Sequence, residues 1–142
     1  MNNHIGQISL LVRDYDEAIE YYTRVLAFKL IEDTELSKSK RWVVIGPDGD
    51  GPKGCNLLLA QAASESQFKQ VGFQTGGRVF LFLYTTDFDQ FYQHLITHEV
   101  EIINGPRIES YGKVLVFKDL YGNLWDLIHR NYRSIRREKK LD

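Results

Sequence analysis

Asp126 stands inside an apolar run, Leu124-Trp125-Asp126-Leu127-Ile128, just after the turn Tyr121-Gly122-Asn123. A carboxylate among buried neighbours is costly unless a cation, a donor or a ligand meets it. Three roles fit such an acid: metal ligand, general base, or structural hydrogen-bond acceptor. Gln7 opens a second strand-like run that continues through Ser9 to Val12, and its amide is both donor and acceptor. Arg107, Glu109 and Tyr111 fall in the stretch Gly105 to Val114, which reads as a loop. A guanidinium there can fork onto a carboxylate or phosphate, although an ordinary surface loop has the same composition.

The remaining reactive side chains are scattered. His94 and His98 lie on one helical stretch, His4 near the start and His129 after the last strand, and their spacing assembles no metal site. Cys55 has no activating neighbour in sequence and reads as a buried structural thiol. Glycine-rich phosphate or dinucleotide loops and a nucleophile elbow are absent. Pro47-Asp48-Gly49-Asp50-Gly51 lacks the ligand pattern of a calcium loop.

These residues need elements to position them. With 142 residues, 43% hydrophobic and 26% charged, the chain has the length and balance of one globular domain with a real core. A net charge of −1 selects neither nucleic acid nor membrane as partner, and one cysteine excludes an internal disulfide. No secretory leader or membrane-spanning run is legible, so the expected location is the cytoplasm. The basic stretch from Arg130 to Lys140 reads as a solvated tail, with a patch for anionic partners as the alternative.

Asp14 and Glu17, spaced as a capping box, open a helix with Ala18, Ile19, Tyr22, Val25 and Leu26 on one face. Strand-forming runs lie at 8–12, 28–36, 41–46 and 56–60, and turn formers fill 47–54. After a polar connector at 62–77 the order repeats. A strand over 79–85 leads to a helix opened by Asp87 and Gln90 and carrying Phe91, Tyr92, Leu95 and Ile96; three more strands follow. Asp14-Tyr15-Asp16 recurs as Asp87-Phe88-Asp89, 73 residues on, and Asn56-Leu57 as Asn123-Leu124. The fold class is α+β, with two βαβββ modules, about 5–61 and 78–130, in one pseudo-symmetric domain (5–130) and a tail at 131–142.

This plan, together with "LLVRDYDEAIEYYTRVLAFKL" and "VFKDLYGNLWDLI", resembles the vicinal oxygen chelate superfamily over residues 5 to 130. That group contains glyoxalase I, extradiol dioxygenases, fosfomycin-resistance enzymes and bleomycin-binding proteins. The resemblance implies a cup-shaped, eight-stranded mixed sheet around a ligand cleft. Metal-dependent members place donors on the first and last strands of each half. Carried over, those positions are Gln7, Phe80, Asp126 and Leu59 (Leu58 if the register slips by one). Only Gln7 and Asp126 can ligate, whereas a catalytic site normally needs about three protein ligands. The expectation is a cleft without the usual complete metal site, so no cofactor; a divalent ion on Gln7 and Asp126 is the alternative.

Strand alternation then says which side chains share that cleft: Ser9 and Leu11 follow Gln7 inward, Phe82 and Tyr84 follow Phe80, and Leu124 and Ile128 accompany Asp126. Asp126 and Gln7 are then the candidate catalytic pair. Ser9, Phe80, Phe82, Tyr84, Arg107 and Tyr111 are candidates for ligand contact, with core filling as the competing role of the phenylalanines. The resemblance implies a small-molecule ligand, a homodimer and one of three functions. These are cofactor-free binding or catalysis, metal-dependent lyase or dioxygenase chemistry, and bleomycin-type sequestration by a non-catalytic dimer. Tyr15 and Tyr21 are the aromatic candidates for a dimer surface.

Overall fold

The computed structural model describes residues 1–47 and 54–131. The expected basic tail past Asn131 and most of the 47–54 loop lie outside these residues. The order is β1 (Gln7–Val12), α1 (Tyr15–Arg24), β2 (Lys29–Glu35), β3 (Arg41–Gly46), β4 (Asn56–Gln61), α2 (Glu65–Gln70), β5 (Val79–Tyr84), α3 (Phe88–Thr97), β6 (Ile102–Glu109), β7 (Gly112–Lys118) and β8 (Leu124–Arg130). The eight strands hydrogen-bond as two four-stranded sheets of identical plan, β1-β4-β3-β2 and β5-β8-β7-β6. In each, the first and last strands of the module are parallel and the other pairs antiparallel. Two compact units result, Met1–Gln74 and Thr75–Asp142.

In the first unit Leu10, Val12, Val43, Ile45, Leu57 and Leu59 share one sheet face, and all are buried. Helix α1 covers that face with Ala18 and Tyr22, continued past its C-terminus by Val25, Leu26 and Phe28. Asp14 caps it, its Oδ1 accepting from the Glu17 N–H at 2.8 Å. Tyr15 is buried, not a surface aromatic, because its ring packs under the Arg41 guanidinium at 5.1 Å and its hydroxyl accepts from the Arg41 N–H. Arg41 also holds Asp16 at 2.9 Å and Asp33 at 2.6 Å.

The second unit repeats this device. Asp87 accepts from the Gln90 N–H at 3.1 Å, and the Phe88 ring lies under the Lys113 ammonium at 5.1 Å. Lys113 also reaches Asp89 at 2.6 Å. The duplicated Asp-aromatic-Asp motif therefore caps each helix and pins its N-terminus to the strand behind it. On α3 the core contact is made by Phe88 and Leu95, while Ile96 is 46% exposed and faces away from the core. The covered sheet face carries Leu115, Phe117, Trp125 and Leu127, all buried.

Three local expectations change. The connector 62–77 contains the short helix α2, capped by Ser64. Gln74 beyond it closes the free edge of β1: its side chain accepts from the Leu11 N–H at 2.8 Å and donates to the Ser9 carbonyl at 3.2 Å. An amide thus imitates a neighbouring strand where an open edge would invite pairing. The stretch after Ile103, expected as a loop, belongs to β6 up to Glu109, because the ladder to β7 absorbs Gly105-Pro106 as a register shift between Asn104 and Arg107. Cys55 is exposed, with its sulfur 3.5 Å from the adjacent Asn56 carbonyl.

Candidate functional site

Strand partners point to the same side of a sheet. In the first unit Gln7 pairs with Asn56 and Ser9 with Leu58, which in turn faces Val44. This is the face that α1 leaves uncovered. Leu59 lies on the buried face at 1% exposure, so Leu58 is the position equivalent to the last-strand acid. Gln7 is half-buried and Ser9 exposed, with Leu58 between strands β1 and β3 as an apolar floor.

In the second unit Phe82 pairs with Asp126, which pairs on its other side with Val116. Val116 is followed by Asn104 on β6. The next row reads Tyr84, Ile128, Val114 and Arg107. The uncovered face of this sheet therefore has an aromatic side on β5, an aliphatic floor and a polar side on β6. Phe82 and Tyr84 are 57% and 55% exposed, so neither fills a core in this unit; Phe80 is half-buried. The Tyr84 ring carries the Arg130 guanidinium at 5.4 Å.

On β6, Arg107 donates from Nε to Glu109 at 2.9 Å and from Nη1 to Asn104 at 2.8 Å. The bond to Glu109, and a further one to Tyr111, stabilise its charged form. Asp126 is half-buried and receives no hydrogen bond from the described residues. Burial pushes its carboxyl above the ordinary carboxylate value, and the positive charge of Arg107 pulls it part of the way back.

Asp126 owes its place to the turn before β8. Asp119 is 6% exposed and accepts from the N–H groups of Tyr121 and Asn123, each at 3.0 Å. It also accepts from Asn123 Nδ2 and Trp125 Nε1, both at 3.0 Å. The network fixes Trp125 on the core side, stacked on Phe117 at 5.8 Å, and alternation sends Asp126 to the open face. The proposed repeat of Asn56-Leu57 in Asn123-Leu124 shifts by one: Asn56 starts β4 as Leu124 starts β8, while Asn123 stays in the turn.

Arg107, Tyr111, Phe80, Phe82, Tyr84 and Asp126 belong to the second unit, Gln7 and Ser9 to the first. Asn104, which anchors Arg107, was not legible because the bulged β6 hides its register. The histidines have local roles. His129 lies within β8 with Nδ1 3.1 Å from the Thr85 carbonyl, and His98 Nδ1 is 2.9 Å from the His94 carbonyl. Among the described residues no three His, Cys, Asp or Glu side chains gather to hold a metal. Leu58 and Phe80 stand at two of the four positions that the resemblance marks for donors, and neither side chain can ligate a metal ion.

The family model of the Glyoxalase/Bleomycin resistance protein/Dioxygenase superfamily matches residues 4–127. An uncharacterized protein of Shewanella frigidimarina is 48% identical over 132 residues, covering 92% of this chain and 96% of its own. Among solved structures, TnmS3, an antibiotic binding protein from a Streptomyces species, superposes with a TM-score of 0.72 at 24% identity, covering 92% of this chain and 98% of its own. FosX, a fosfomycin resistance protein from Listeria monocytogenes, gives 0.69 at 16% identity, covering 97% and 99%. At those identities the structures speak for the fold alone. The chain belongs to the glyoxalase/bleomycin resistance protein/dioxygenase superfamily.

Proposed function

We propose that this member of the superfamily binds a small organic molecule on the open face of its second sheet, with Asp126 as hydrogen-bond acceptor or general base. The observation that carries the reading is Asp126 itself: half-buried, without a donor among the described residues, and beside the exposed Phe82. Exposed aromatic rings around a lone polar group are the usual make-up of a ligand surface. Phe80, Phe82 and Tyr84 supply apolar contact, while Arg107 and Tyr111 form the polar rim. Gln7 and Ser9 give the first sheet its own donor and acceptor.

The chemistry available is proton transfer. A carboxyl held above its ordinary pKa is a better base for a bound C–H or O–H than a solvated one. Lyase or dioxygenase chemistry through a metal competes with this, and so does binding without turnover, as the name of TnmS3 describes for that protein. The donor set favours the metal-free alternatives. A homodimer in a reducing compartment completes the proposal; the exposed Leu30, Ile31, Leu36 and Trp42 and the free thiol of Cys55 support it.

The test is a thermal-shift screen of small aromatic compounds, repeated on Phe82→Ala and Asp126→Asn. Ligands of the wild-type protein lose affinity in both variants. Hits that bind both variants as tightly as wild type overturn the assignment of the face. Nickel, zinc, manganese and iron(II) are screened alongside; tight binding of any of them raises the melting temperature and revives the metal reading.

A further inference from the structure

We infer that the ligand face of the second sheet selects organic ammonium ions, an amine on an apolar scaffold, with Asp126 as counter-ion and Phe82 as the π surface. The inference rests on the reading of that face as a ligand surface and adds the charge of what it takes. Three observations lead to it.

The first is the local charge count. Arg107 acts on Asp126 through its charge, and their opposite signs suggest a closed pair. Yet the Arg107 guanidinium is already engaged by Glu109 at 2.9 Å and Asn104 at 2.8 Å, and two strands separate it from Phe82 and one from Asp126. Arg107 pairs with Glu109 and reaches Asp126 only through its field across one strand, so the Asp126 carboxylate has no contact partner among the described residues. An ammonium on this floor supplies the contact that Arg107 does not.

The second is the ring beside the acid. Phe82 and Asp126 are direct partners across the parallel β5–β8 ladder, about 4.8 Å apart along the hydrogen-bonding direction. Phe82 is 57% exposed, and no cation of the described residues lies over it. A carboxylate next to an aromatic face is the pairing that binds ammonium groups, the acid by charge and N–H donation, the ring by its quadrupole.

The third comes from the next row. There the Tyr84 ring already holds a cation, the Arg130 guanidinium at 5.4 Å. The aromatic edge of β5 thus attracts positive charge within this protein, and Phe82 is the ring of that edge left for a ligand. On the Asp126 row the half-buried Val116 supplies aliphatic contact, while Val114 and Ile128 of the next row are buried at 1% and 6% exposure.

The test compares phenethylamine, phenethyl alcohol and phenylacetate by ligand-observed NMR titration at pH 7.5 against the full chain. The expected result is a preference for the amine of about tenfold or more over the alcohol, with the acid weakest. Asp126→Asn brings amine and alcohol to within about twofold of each other. Phe82→Leu keeps the apolar contact and lowers amine binding by about three- to tenfold while sparing the alcohol. Melting curves of both variants confirm that they fold. Equal affinity for amine and alcohol overturns the inference and leaves the ligand face standing. A preference for phenylacetate overturns it and assigns the selection to Arg107. Absence of binding by all three also overturns it, whereas the ligand reading itself falls only with the Phe82→Ala comparison in the aromatic screen.

Discussion

Replacing Asp119 by alanine tests the claim that a buried carboxylate sets the register of β8 and so the position of Asp126. Four donor groups among the described residues reach the side chain at 3.0 Å: the Tyr121 and Asn123 amides, Asn123 Nδ2 and Trp125 Nε1. Each bond to a charged acceptor contributes about 1.5 to 3 kcal/mol, and a buried donor left without one costs about 1 to 3 kcal/mol. Simple addition overstates the loss, because Tyr121 and its amide can reach water once the turn loosens. Losses at the two buried residues, Asn123 and Trp125, give about 3 to 5 kcal/mol. At this chain length about 3 °C of melting temperature goes with each kcal/mol, so Asp119→Ala melts about 10 to 15 °C lower. Trp125→Phe is the control. It deletes one donor, keeps an aromatic ring against Phe117, and leaves Asp119 three bonds, so it costs about 1 to 2 kcal/mol. Urea denaturation followed by circular dichroism measures both. If Asp119→Ala loses no more than Trp125→Phe, the network does not hold the turn and the account of how Asp126 is placed fails.

Further outcomes follow from other parts of the chain. Gly112 has φ of 148° and a Cβ there would collide with the His129 carbonyl, so Gly112→Ala destabilises by about 2 kcal/mol or more in the same denaturation assay. Ala27 has φ of 59° just past α1, so Ala27→Gly is neutral to stabilising by up to about 1 kcal/mol, read as a melting temperature up to about 3 °C higher. Gln74→Ala frees the β1 edge, and hydrogen exchange at the Leu11 amide quickens more than exchange at the β4 amides. Asp126 has a pKa raised on folding, so the folded state holds its proton where the unfolded state has lost it. Its contribution to stability is full below the unfolded value and is lost as pH rises through the folded one. Asp126→Asn therefore removes a fall in stability between those two values and leaves acid unfolding otherwise unchanged; an identical pH profile for wild type and variant would contradict this.

Elements were legible wherever local chemistry decided them. Asp14 and Asp87 announced both helices, and both cap as their spacing required. Period-two alternation put Phe82, Tyr84 and Asp126 on one face, and the ladder agrees. What failed needed distant partners. Tyr15 looked like a surface ring because Arg41, which covers it, is 26 residues away in sequence. Arg107 looked like a loop residue because Gly105-Pro106 reads as punctuation, while a bulged edge strand tolerates both. Leu59 and Leu58 could not be told apart until the β1–β4 register fixed which side each faces.

The repeat shows where the two halves of this chain are free to differ. On the helix-covered side the halves solve the same problem with equivalent residues: a capping Asp, a ring at the first helical position, an acid after it, and a cation from the first residues of the third strand of each module. That device serves folding, and each half needs it for its own sheet. On the open side the equivalents part company: Ser9 stands where Phe82 does and Leu58 where Asp126 does, while Phe80, the sequence counterpart of Gln7, falls in the register shift between Val79 and Leu81. Core packing cannot explain the second set, since Phe82 is more than half exposed and Asp126 lacks a donor among the described residues. An exposed ring and an unsatisfied acid both cost the isolated chain something in water, the one by hydration of apolar area and the other by incomplete solvation. Two such costs on adjacent strands, on the face that the helix leaves uncovered, support the proposal that a ligand is bound there.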